Sequence, residues 1–325
     1  MALKSGILLV ALTLTFVRTL LAAPDVPELM RRFGDPGRIS FRDGLAGVPN
    51  VVVSNACGSA EIALLGANVL AYASSDGTPV LFCPSKRLAD YRVGQSVSGG
   101  IPVCWPQFSW RFMRNLPNHG FARKCVFDVR SVESEEKRTV VVLGLSDSEM
   151  MRKLWPYAFD LELTVTVSET LELTLRTRNT GSEPMPFSCG FHPYLRLGER
   201  DGTSIEGLEG LACVKALDDE KPGVCRGTLP LDCARDDVFS WKDTDRPPIR
   251  VTDAKNARVL ELVSHGSEYV VVWNCGRDRQ PSDFMENDWR RYVCIEPTSD
   301  WPNGRTLAPG REYALTLCLR SVAIR

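Results

Sequence analysis

Two of the three histidines in this chain stand where they could take part in proton transfer. His192 directly precedes Pro193, and His119 lies in a short segment that also carries a glycine and an arginine. Glu296 ends an apolar segment further along the chain. An imidazole and a carboxylate that face one substrate can give and take protons near neutral pH without a cofactor. His192 and Glu296 are therefore the candidate acid and base.

Each of these residues also has a purely structural interpretation. Pro193 biases His192 toward an extended backbone, and a histidine fixed in this way can simply be a hydrogen-bonded core residue. A buried Glu296 would cost free energy without a partner, but a glutamate at the end of a strand is often exposed to water. His265, which precedes a glycine between two predicted strands, is interpreted as a surface turn histidine.

The segment at residues 118–123 has the residue types of a ligand contact. Gly120 allows the backbone to approach a ligand closely. Arg123 could bind an anionic or hydroxyl-rich substrate through its planar guanidinium group. The alternative is that Arg123 only forms an ion pair at the surface of the protein.

The composition limits the classes of function. The chain has 325 residues, of which 44% are hydrophobic and 24% charged, and its net charge is -1. This balance argues against nucleic acid as a partner, because phosphate backbones require a basic surface, but it allows a local basic pocket. The sequence lacks a glycine-rich dinucleotide fingerprint, a P-loop, a Gly-x-Ser-x-Gly elbow and a His-Glu-x-x-His segment. We therefore expect neither a cofactor nor a metal.

The cysteines and the N-terminus indicate different compartments. Eleven scattered cysteines without zinc-site spacing are typical of buried structural thiols in a reducing compartment. In contrast, Lys4 and an apolar run at residues 6–17 precede Ala22 and Ala23, which is the layout of a cleavable signal peptide. We expect residues 1–25 to be a targeting segment for the secretory pathway or an organelle, with a cytoplasmic protein as the alternative. Residues 26–325 are expected to form one domain without a membrane span.

Alternation with a period of two residues dominates the rest of the chain. Apolar and polar side chains alternate at residues 161–167 and 171–176, which predicts a hairpin with one buried face. Residues 313–320 alternate in the same way, and 139–145, 259–263 and 269–273 are rich in β-branched residues. Ser146 and Glu149 have the spacing of a capping box that opens one short helix. The pattern predicts an all-β protein, built as an antiparallel sandwich or barrel.

Eight short segments of the chain carry a family resemblance. They are GGIPVCWPQF at 99–108, NHGFAR at 118–123, LWP at 154–156, FHPY at 191–194, DVF at 237–239, VVWN at 271–274, CIEP at 294–297 and LAPG at 307–310. Together they resemble the aldose 1-epimerase superfamily, and within it the glucose-6-phosphate 1-epimerase (hexose-6-phosphate mutarotase) branch, over roughly residues 40–320. The resemblance implies a large antiparallel β-sandwich of the galactose mutarotase type, in agreement with the strand pattern.

The resemblance also implies roles for individual residues. His192 matches the general acid that protonates the ring oxygen of a sugar, and Glu296 matches the base that takes the proton from the anomeric hydroxyl. The ring then opens to the free aldehyde and closes on the other face, with the two residues on opposite edges of the sugar and Glu296 ionised while His192 is protonated. His119 and Asp237 match sugar contacts, and Asn118 stands where the family usually has a glutamine.

One departure from the family pattern concerns the substrate. The phosphate-selective branch generally has an arginine just before the Gly-Gly of the first segment, and this position is Ser98 here. In that branch this arginine and the one that matches Arg123 are thought to hold the 6-phosphate, so Arg123 would be the remaining cation here. The loss matters because a charge-assisted hydrogen bond is stronger than a neutral one. Lys86, Arg87 or Arg92 could replace the missing arginine. The expected partner is a small sugar or sugar phosphate, bound by a monomer.

Three functions remain open at this point. The first is interconversion of the anomers of a hexose 6-phosphate, or else of an unphosphorylated aldose. The second is a non-catalytic carbohydrate-binding sandwich, against which the presence of both His192 and Glu296 argues. The third is glycoside hydrolysis, which usually needs two flanking carboxylates, and only Glu296 and Asp237 are available for it.

Overall fold

A computed structural model describes residues 25–84, 86, 97–241, 246–299 and 301–324 of the protein. The predicted targeting segment, residues 1–25, lies outside the described residues except for Asp25. Among the residues that are described, none of the helices has the length and apolar character that a membrane crossing requires. Seven of the eleven cysteines are buried.

Strands are the main regular secondary structure of the described chain. The two α-helices in this part are short, α1 at Val26–Phe33 and α2 at Glu149–Leu154. The strands are β1 Ile39–Asp43, β2 Pro49–Asn55, β3 Gly58–Ala63, β4 Asn68–Ser74, β5 Val103–Cys104, β6 Asp128–Ser134, β7 Thr139–Ser146, β8 Phe159–Val167, β9 Leu171–Asn179, β10 Met185–Phe187, β11 Gly190–Phe191, β12 Tyr194–Arg196, β13 Ser204–Glu206, β14 Ala212–Lys215, β15 Lys221–Val224, β16 Leu229–Pro230, β17 Arg235–Ser240, β18 Ile249–Asp253, β19 Arg258–His265, β20 Tyr269–Asn274, β21 Tyr292–Thr298, β22 Arg305–Leu307 and β23 Glu312–Ala323.

Two large sheets dominate the architecture. One has nine strands in the order β16-β13-β18-β19-β23-β9-β8-β7-β6, and the other has eight, with β15-β14-β17-β20-β21-β11-β5 in order and β12 paired to β21. A four-stranded sheet, β1 to β4, and a two-stranded sheet, β10 with β22, complete the structure. Leu163 and Leu317 of the nine-stranded sheet share one core with Val272 and Ile295 of the eight-stranded sheet. The prediction of a large all-β, antiparallel sandwich is confirmed.

The nine-stranded sheet follows its sequence pattern closely. Buried positions alternate with half-buried ones along β8 and mostly with exposed ones along β9, and the two strands pair so that Leu163 lies opposite Leu175. The sheet thus buries one face and leaves the other to solvent, as alternating apolar side chains require. The predicted strands around residues 139–145, 259–263, 269–273 and 313–320 are also confirmed.

The prediction for the start of the short helix is wrong by two residues. Ser148, not Ser146, is the N-cap, and its Oγ accepts a hydrogen bond from the backbone N–H of Met151 at 3.2 Å. Ser146 still belongs to β7, where its hydroxyl lies 2.9 Å from the carboxylate of Asp160 on β8. Its pairing across the sheet keeps Ser146 extended, so the chain can turn into the helix only after it.

The central strands of the eight-stranded sheet are different because both of their faces are covered. Every residue of β21 is buried. Val293 and Ile295 belong to the main core, whereas Cys294 belongs to a separate cluster on the other face. Since successive side chains of a strand point to opposite faces, Glu296 lies on the same face as Cys294, away from the main core. That face carries the candidate site.

Candidate active site

A cavity of about 340 Å³ opens on this face of the eight-stranded sheet. Five of the seven predicted site residues line it, namely Asn118, His119, Arg123, His192 and Glu296. Aromatic and other polar side chains complete the wall. The further lining residues are Phe108, Ser109, Trp110, Arg111, Tyr194, Ala216, Asp236, Val238, Val271, Trp273, Pro281 and Trp301.

Glu296 is held by the register of the sheet. It lies opposite Val271 of β20, and Val271 in turn lies opposite Val238 of β17, so all three point into the cavity from adjacent strands. The glutamate is only 2% exposed. Among the described residues, its Oε1 has no hydrogen-bond partner. A carboxylate buried in this way is costly for stability, which is typical of a functional group rather than a structural one.

His192 is fixed by backbone and ring contacts. Its backbone N–H donates to the carbonyl of Pro102 at 3.1 Å. Its ring stacks on Tyr194, with centroids 4.8 Å apart, and meets the edge of Trp273 at 5.6 Å. Nε2 of His192 lies 3.3 Å from Oε1 of Glu296, although the two atoms are not aligned for a hydrogen bond. The acid and base were expected on opposite edges of a sugar, but the structure places them side by side.

Burial shifts the two groups toward their neutral forms. It lowers the pKa of His192 to about 3, with the positive charge of Arg123 acting in the same direction. Burial, followed by the negative charge of Asp236, raises the pKa of Glu296 well above its ordinary value. Both directions oppose the expected state in which Glu296 is ionised while His192 is protonated, and that state stays a prediction. In both groups burial disfavours the charged form, so it works against an ion pair between them.

His119 is presented to the cavity by a constrained loop. Its Nδ1 accepts a hydrogen bond from the backbone N–H of Ser109 at 3.2 Å, so in the neutral ring the proton is on Nε2. Burial lowers the pKa of His119 well below its ordinary value, and the charge of Arg123 adds to this effect. His119 is thus a fixed hydrogen-bond donor. A Cβ at Gly120, where φ is +72°, would lie 2.1 Å from the carbonyl oxygen of Trp105, so only glycine fits there.

Arg123 and Asn118 are connected at the wall of the cavity. The guanidinium group of Arg123 donates from Nη2 to the backbone carbonyl of Asn118 at 2.7 Å. This bond fixes the arginine against the loop that also carries His119. The positive charge of Arg123 is close enough to lower the pKa of His119 and of His192. The charge of Arg123 therefore adds to the effect of burial in disfavouring the protonated form of these two imidazoles.

Two predicted site residues lie elsewhere. Asp237 points to the opposite face of β17, where its Oδ2 accepts a hydrogen bond from Nη1 of Arg235 at 2.9 Å. Its neighbour Asp236 lines the cavity instead, because adjacent residues of a strand face opposite sides. Ser98 is not part of the cavity wall, and its carbonyl lies 3.7 Å from Sγ of Cys83. Neither Asp237 nor Ser98 lines the cavity, and a role of either in sugar binding stays a prediction.

The residues proposed to replace the arginine missing at Ser98 do not reach the cavity where they are described. Nζ of Lys86 donates to the backbone carbonyl of Ser282 at 2.7 Å. Arg87 and Arg92 lie outside the described residues. The cation that the sequence analysis missed is Arg111, which lines the cavity. No pattern in the sequence marks it, since its position depends on the path of the loop between β5 and residue 120.

One group of side chains has the composition of a metal site. Ligating atoms of His192, Cys294 and Glu296 lie within 4.8 Å of one another. Burial, followed by the negative charge of Glu296, raises the pKa of the Cys294 thiol well above its ordinary value. This opposes the thiolate that a metal ion requires. The expectation of a metal-free protein stays a prediction.

Solved structures share this fold. A "putative mutarotase" from Salmonella typhimurium superposes with a TM-score of 0.81 and 23% identity, covering 94% of this chain and 99% of that one. A galactose 1-epimerase from Lactobacillus acidophilus superposes with a TM-score of 0.68 and 14% identity, covering 85% and 95%. At these identities the superpositions establish the fold alone.

Sequence relatives point in the same direction. A protein of Salmonella typhimurium named "Putative glucose-6-phosphate 1-epimerase" is 26% identical over 279 residues, 83% of this chain and 90% of that protein. A protein of the same name from Cenchrus ciliaris is 28% identical over 280 residues, 82% of each chain. Residues 49–320 match the family model described as aldose 1-epimerase, which is most of the chain. The protein therefore belongs to the aldose 1-epimerase family of sugar isomerases.

Proposed function

We propose that the protein interconverts the α and β anomers of a hexose 6-phosphate, with His192 and Glu296 as the acid–base pair. The observation that carries the proposal is the 3.3 Å distance between Nε2 of His192 and Oε1 of Glu296 at the wall of one cavity. The anomeric oxygen and the ring oxygen of a sugar are bonded to the same carbon. Two neighbouring proton-transfer groups therefore match the two oxygens that react.

The reaction needs one proton donated and one accepted. The donor protonates the ring oxygen as the bond between C1 and the ring oxygen breaks, and the bonding electrons stay on that oxygen. The acceptor removes the proton of the anomeric hydroxyl, whose electrons form the aldehyde carbonyl. Rotation about the C1–C2 bond turns the carbonyl, and the same steps in reverse close the ring on the other face. The proton count of the pair is restored after each opening and closing.

The buried pair suits this proton balance. The neutral form, with the proton on Glu296, and the ion pair, with the proton on His192, contain the same number of protons. The order implied by the family, with His192 as the acid for ring opening, requires the ion-paired form. The two forms differ only in the position of one proton, and each properly placed proton transfer contributes about 10²–10⁴-fold to the rate.

His119 and Asp236 are proposed to hold the sugar. The fixed Nε2–H of His119 can donate to a sugar oxygen, and its ring lies 5.4 Å from that of His192. Asp236 offers carboxylate oxygens on the neighbouring strand β17. Burial, then the charge of Asp237, raises the pKa of Asp236. Asp236 takes the role that the sequence analysis gave to Asp237.

The phosphorylated substrate is supported by two observations. The relatives at 26% and 28% identity are named for glucose 6-phosphate. Two arginines, Arg111 and Arg123, line the cavity. Guanidinium groups bind phosphate oxygens in a planar, bidentate manner.

Anomer exchange measured by NMR tests the proposal. The parent protein should exchange the anomers of glucose 6-phosphate faster than those of glucose, at equal concentration. His192→Ala should lose activity on both, whereas His265→Ala, which removes an exposed histidine outside the cavity, should not. Faster exchange of glucose would replace the phosphorylated substrate with a free aldose. Sugar binding without exchange in the parent would support a non-catalytic carbohydrate-binding protein, and release of reducing sugar from a glycoside would support hydrolysis.

A further inference from the structure

Arg111 lies at the rim of the cavity, where two tryptophan rings flank its guanidinium group. Its guanidinium carbon lies 5.2 Å from the ring centroid of Trp110 and 5.7 Å from that of Trp301. The side chain is 26% exposed, so it is neither free in solvent nor sealed in the core. The two indole rings restrict where the guanidinium group can go while leaving its N–H groups available.

The partner of Arg111 comes from the other wall of the cavity. Its Nη2 forms an ion pair with Oε1 of Glu220. Glu220 lies in the turn between β14 and β15, and Ala216 of the same turn lines the cavity. Asp219 and Glu220 both have a positive φ, 48° and 58°, so the turn is tightly constrained. The ion pair therefore joins two walls at the mouth of the cavity.

This ion pair is of the kind that is easily exchanged. The side chain of Glu220 is 51% exposed, and ion pairs in contact with solvent add little stability. Near neutral pH a phosphate monoester carries more negative charge than the carboxylate of Glu220, and it presents three strong acceptor oxygens. Arg111 can therefore leave Glu220 for such a group at small cost. In contrast, Arg123 already donates to the backbone carbonyl of Asn118.

We propose, building on the function above, that Arg111 binds the phosphoryl group of the substrate and that Glu220 is its exchangeable counter-ion. Arg111 then performs the role of the arginine that is missing at Ser98, from a different loop. Glu220 competes with the substrate for the guanidinium group, so it weakens the binding of phosphorylated sugars. Arg111 and Glu220 together set the preference between phosphorylated and free hexoses.

Two substitutions with opposite expected effects test this inference. Arg111→Ala should lower the ratio of kcat/KM for glucose 6-phosphate to that for glucose about 10- to 100-fold, mainly through KM, because it removes a charge-assisted bond. Glu220→Gln should lower KM for glucose 6-phosphate about two- to fivefold, because it removes a weak competitor. Arg111→Lys should restore part of the ratio, since the charge remains but the fork is lost.

A matched control is available in the same loop. The guanidinium group of Arg114 also lies over the ring of Trp110, at 5.6 Å, but Arg114 does not line the cavity. Arg114→Ala should leave the ratio unchanged. The inference would be overturned if Arg111→Ala lowered kcat/KM for both substrates by the same factor. It would also be overturned if Glu220→Gln did not increase the affinity for glucose 6-phosphate.

Binding of inorganic phosphate separates this inference from the proposed function. Calorimetric titration should show weaker binding of phosphate to Arg111→Ala than to the parent and tighter binding to Glu220→Gln. This readout does not require turnover. If the parent catalyses no anomer exchange but these binding differences hold, the proposed function fails and the anion site stands. If exchange is rapid but phosphate binding is equal in all variants, the anion site fails.

Discussion

The two large sheets of this protein use the same backbone geometry for different purposes. In the nine-stranded sheet, β9 alternates strictly between buried leucines such as Leu171 and exposed residues such as Glu172. In the eight-stranded sheet, β21 is buried along its whole length. One face of β21 packs Val293 and Ile295 into the core, and the other presents Glu296 to the cavity. Covering the second face allows a carboxylate to be held in a low-dielectric wall.

The comparison shows where function costs stability. A glutamate on the open face of the nine-stranded sheet remains solvated, so it neither gains nor loses much on folding. Glu296 loses its solvation, and burial raises its pKa well above the ordinary value. The same loss keeps His192 neutral. The eight-stranded sheet thus holds two buried groups whose charged forms are unfavourable, and shifted pKa values of this kind are typical of functional sites.

The largest expected difference between the sheets is in turnover. Glu296→Gln should reduce anomer exchange by about 10²- to 10⁴-fold, because an amide can neither take nor give the proton. Glu172→Gln makes the same chemical change on the exposed face of β9 and should leave exchange unaffected. Both are measured by NMR on glucose 6-phosphate and on glucose. Full activity of Glu296→Gln would remove the acid–base pair from the mechanism.

Adjacent aspartates on β17 provide a comparison within one strand. Asp237→Asn breaks the buried ion pair with Arg235 and should lower the free energy of unfolding by about 3 kcal/mol. Asp236→Asn, on the cavity face, should not lower the unfolding free energy, because burial disfavours the charged form of Asp236, but it should raise KM for the sugar. Urea denaturation and anomer exchange separate the two effects. Equal losses of stability in both variants would mean that the two faces of β17 do not differ as described.

The sequence predicted the sheets better than the site. Strict alternation at residues 161–167 and 171–176 could only be satisfied by a strand pair with one buried face, and this pair is β8 with β9. In β21 the residues from 292 to 296 are apolar except for the glutamate. Such an apolar run is compatible with a strand buried on both faces, and it does not show which face of the strand is turned toward the main core. The face on which Glu296 lies was therefore not determined by its neighbours in sequence.

The differences between the predicted site and the lining of the cavity have a common cause. Asp237 was selected over Asp236 from family resemblance, although Phe239 belongs to the main core and has the same parity as Asp237. Arg111 was missed because it reaches the cavity through contacts with Trp301 and Glu220, which are distant in sequence. Local patterns describe which face a residue occupies within a strand. They contain no information about which loop of one sheet edge meets which hairpin of another.

The burial of Glu296 should also be visible in the pH dependence of stability. Its pKa is raised above 4.5 in the folded state, so the folded protein keeps a proton that the unfolded chain releases. The stability of the parent should therefore fall, relative to Glu296→Gln, as the pH rises above 4.5. The difference can grow by up to about 1.4 kcal/mol per pH unit until the folded carboxyl group ionises. Urea denaturation of the parent and of Glu296→Gln, compared at each pH between 4 and 8, measures it.

The last prediction is that the pH profile of activity lacks an inflection from a histidine near pH 6.5. A solvated histidine that acts in catalysis produces an inflection near pH 6.5, whereas burial lowers the pKa of His192 to about 3 and that of His119 well below its ordinary value. The profile of kcat/KM, which reports the free enzyme, should therefore cross pH 6.5 without an inflection from either imidazole. The ring resonances of His192, assigned by comparison with His192→Ala, should likewise not shift near pH 6.5. A shift near pH 6.5 would mean that the cavity wall is solvated. The contrast between a buried face of β21 and the open face of β9 would then no longer explain why His192 and Glu296 are held in the eight-stranded sheet.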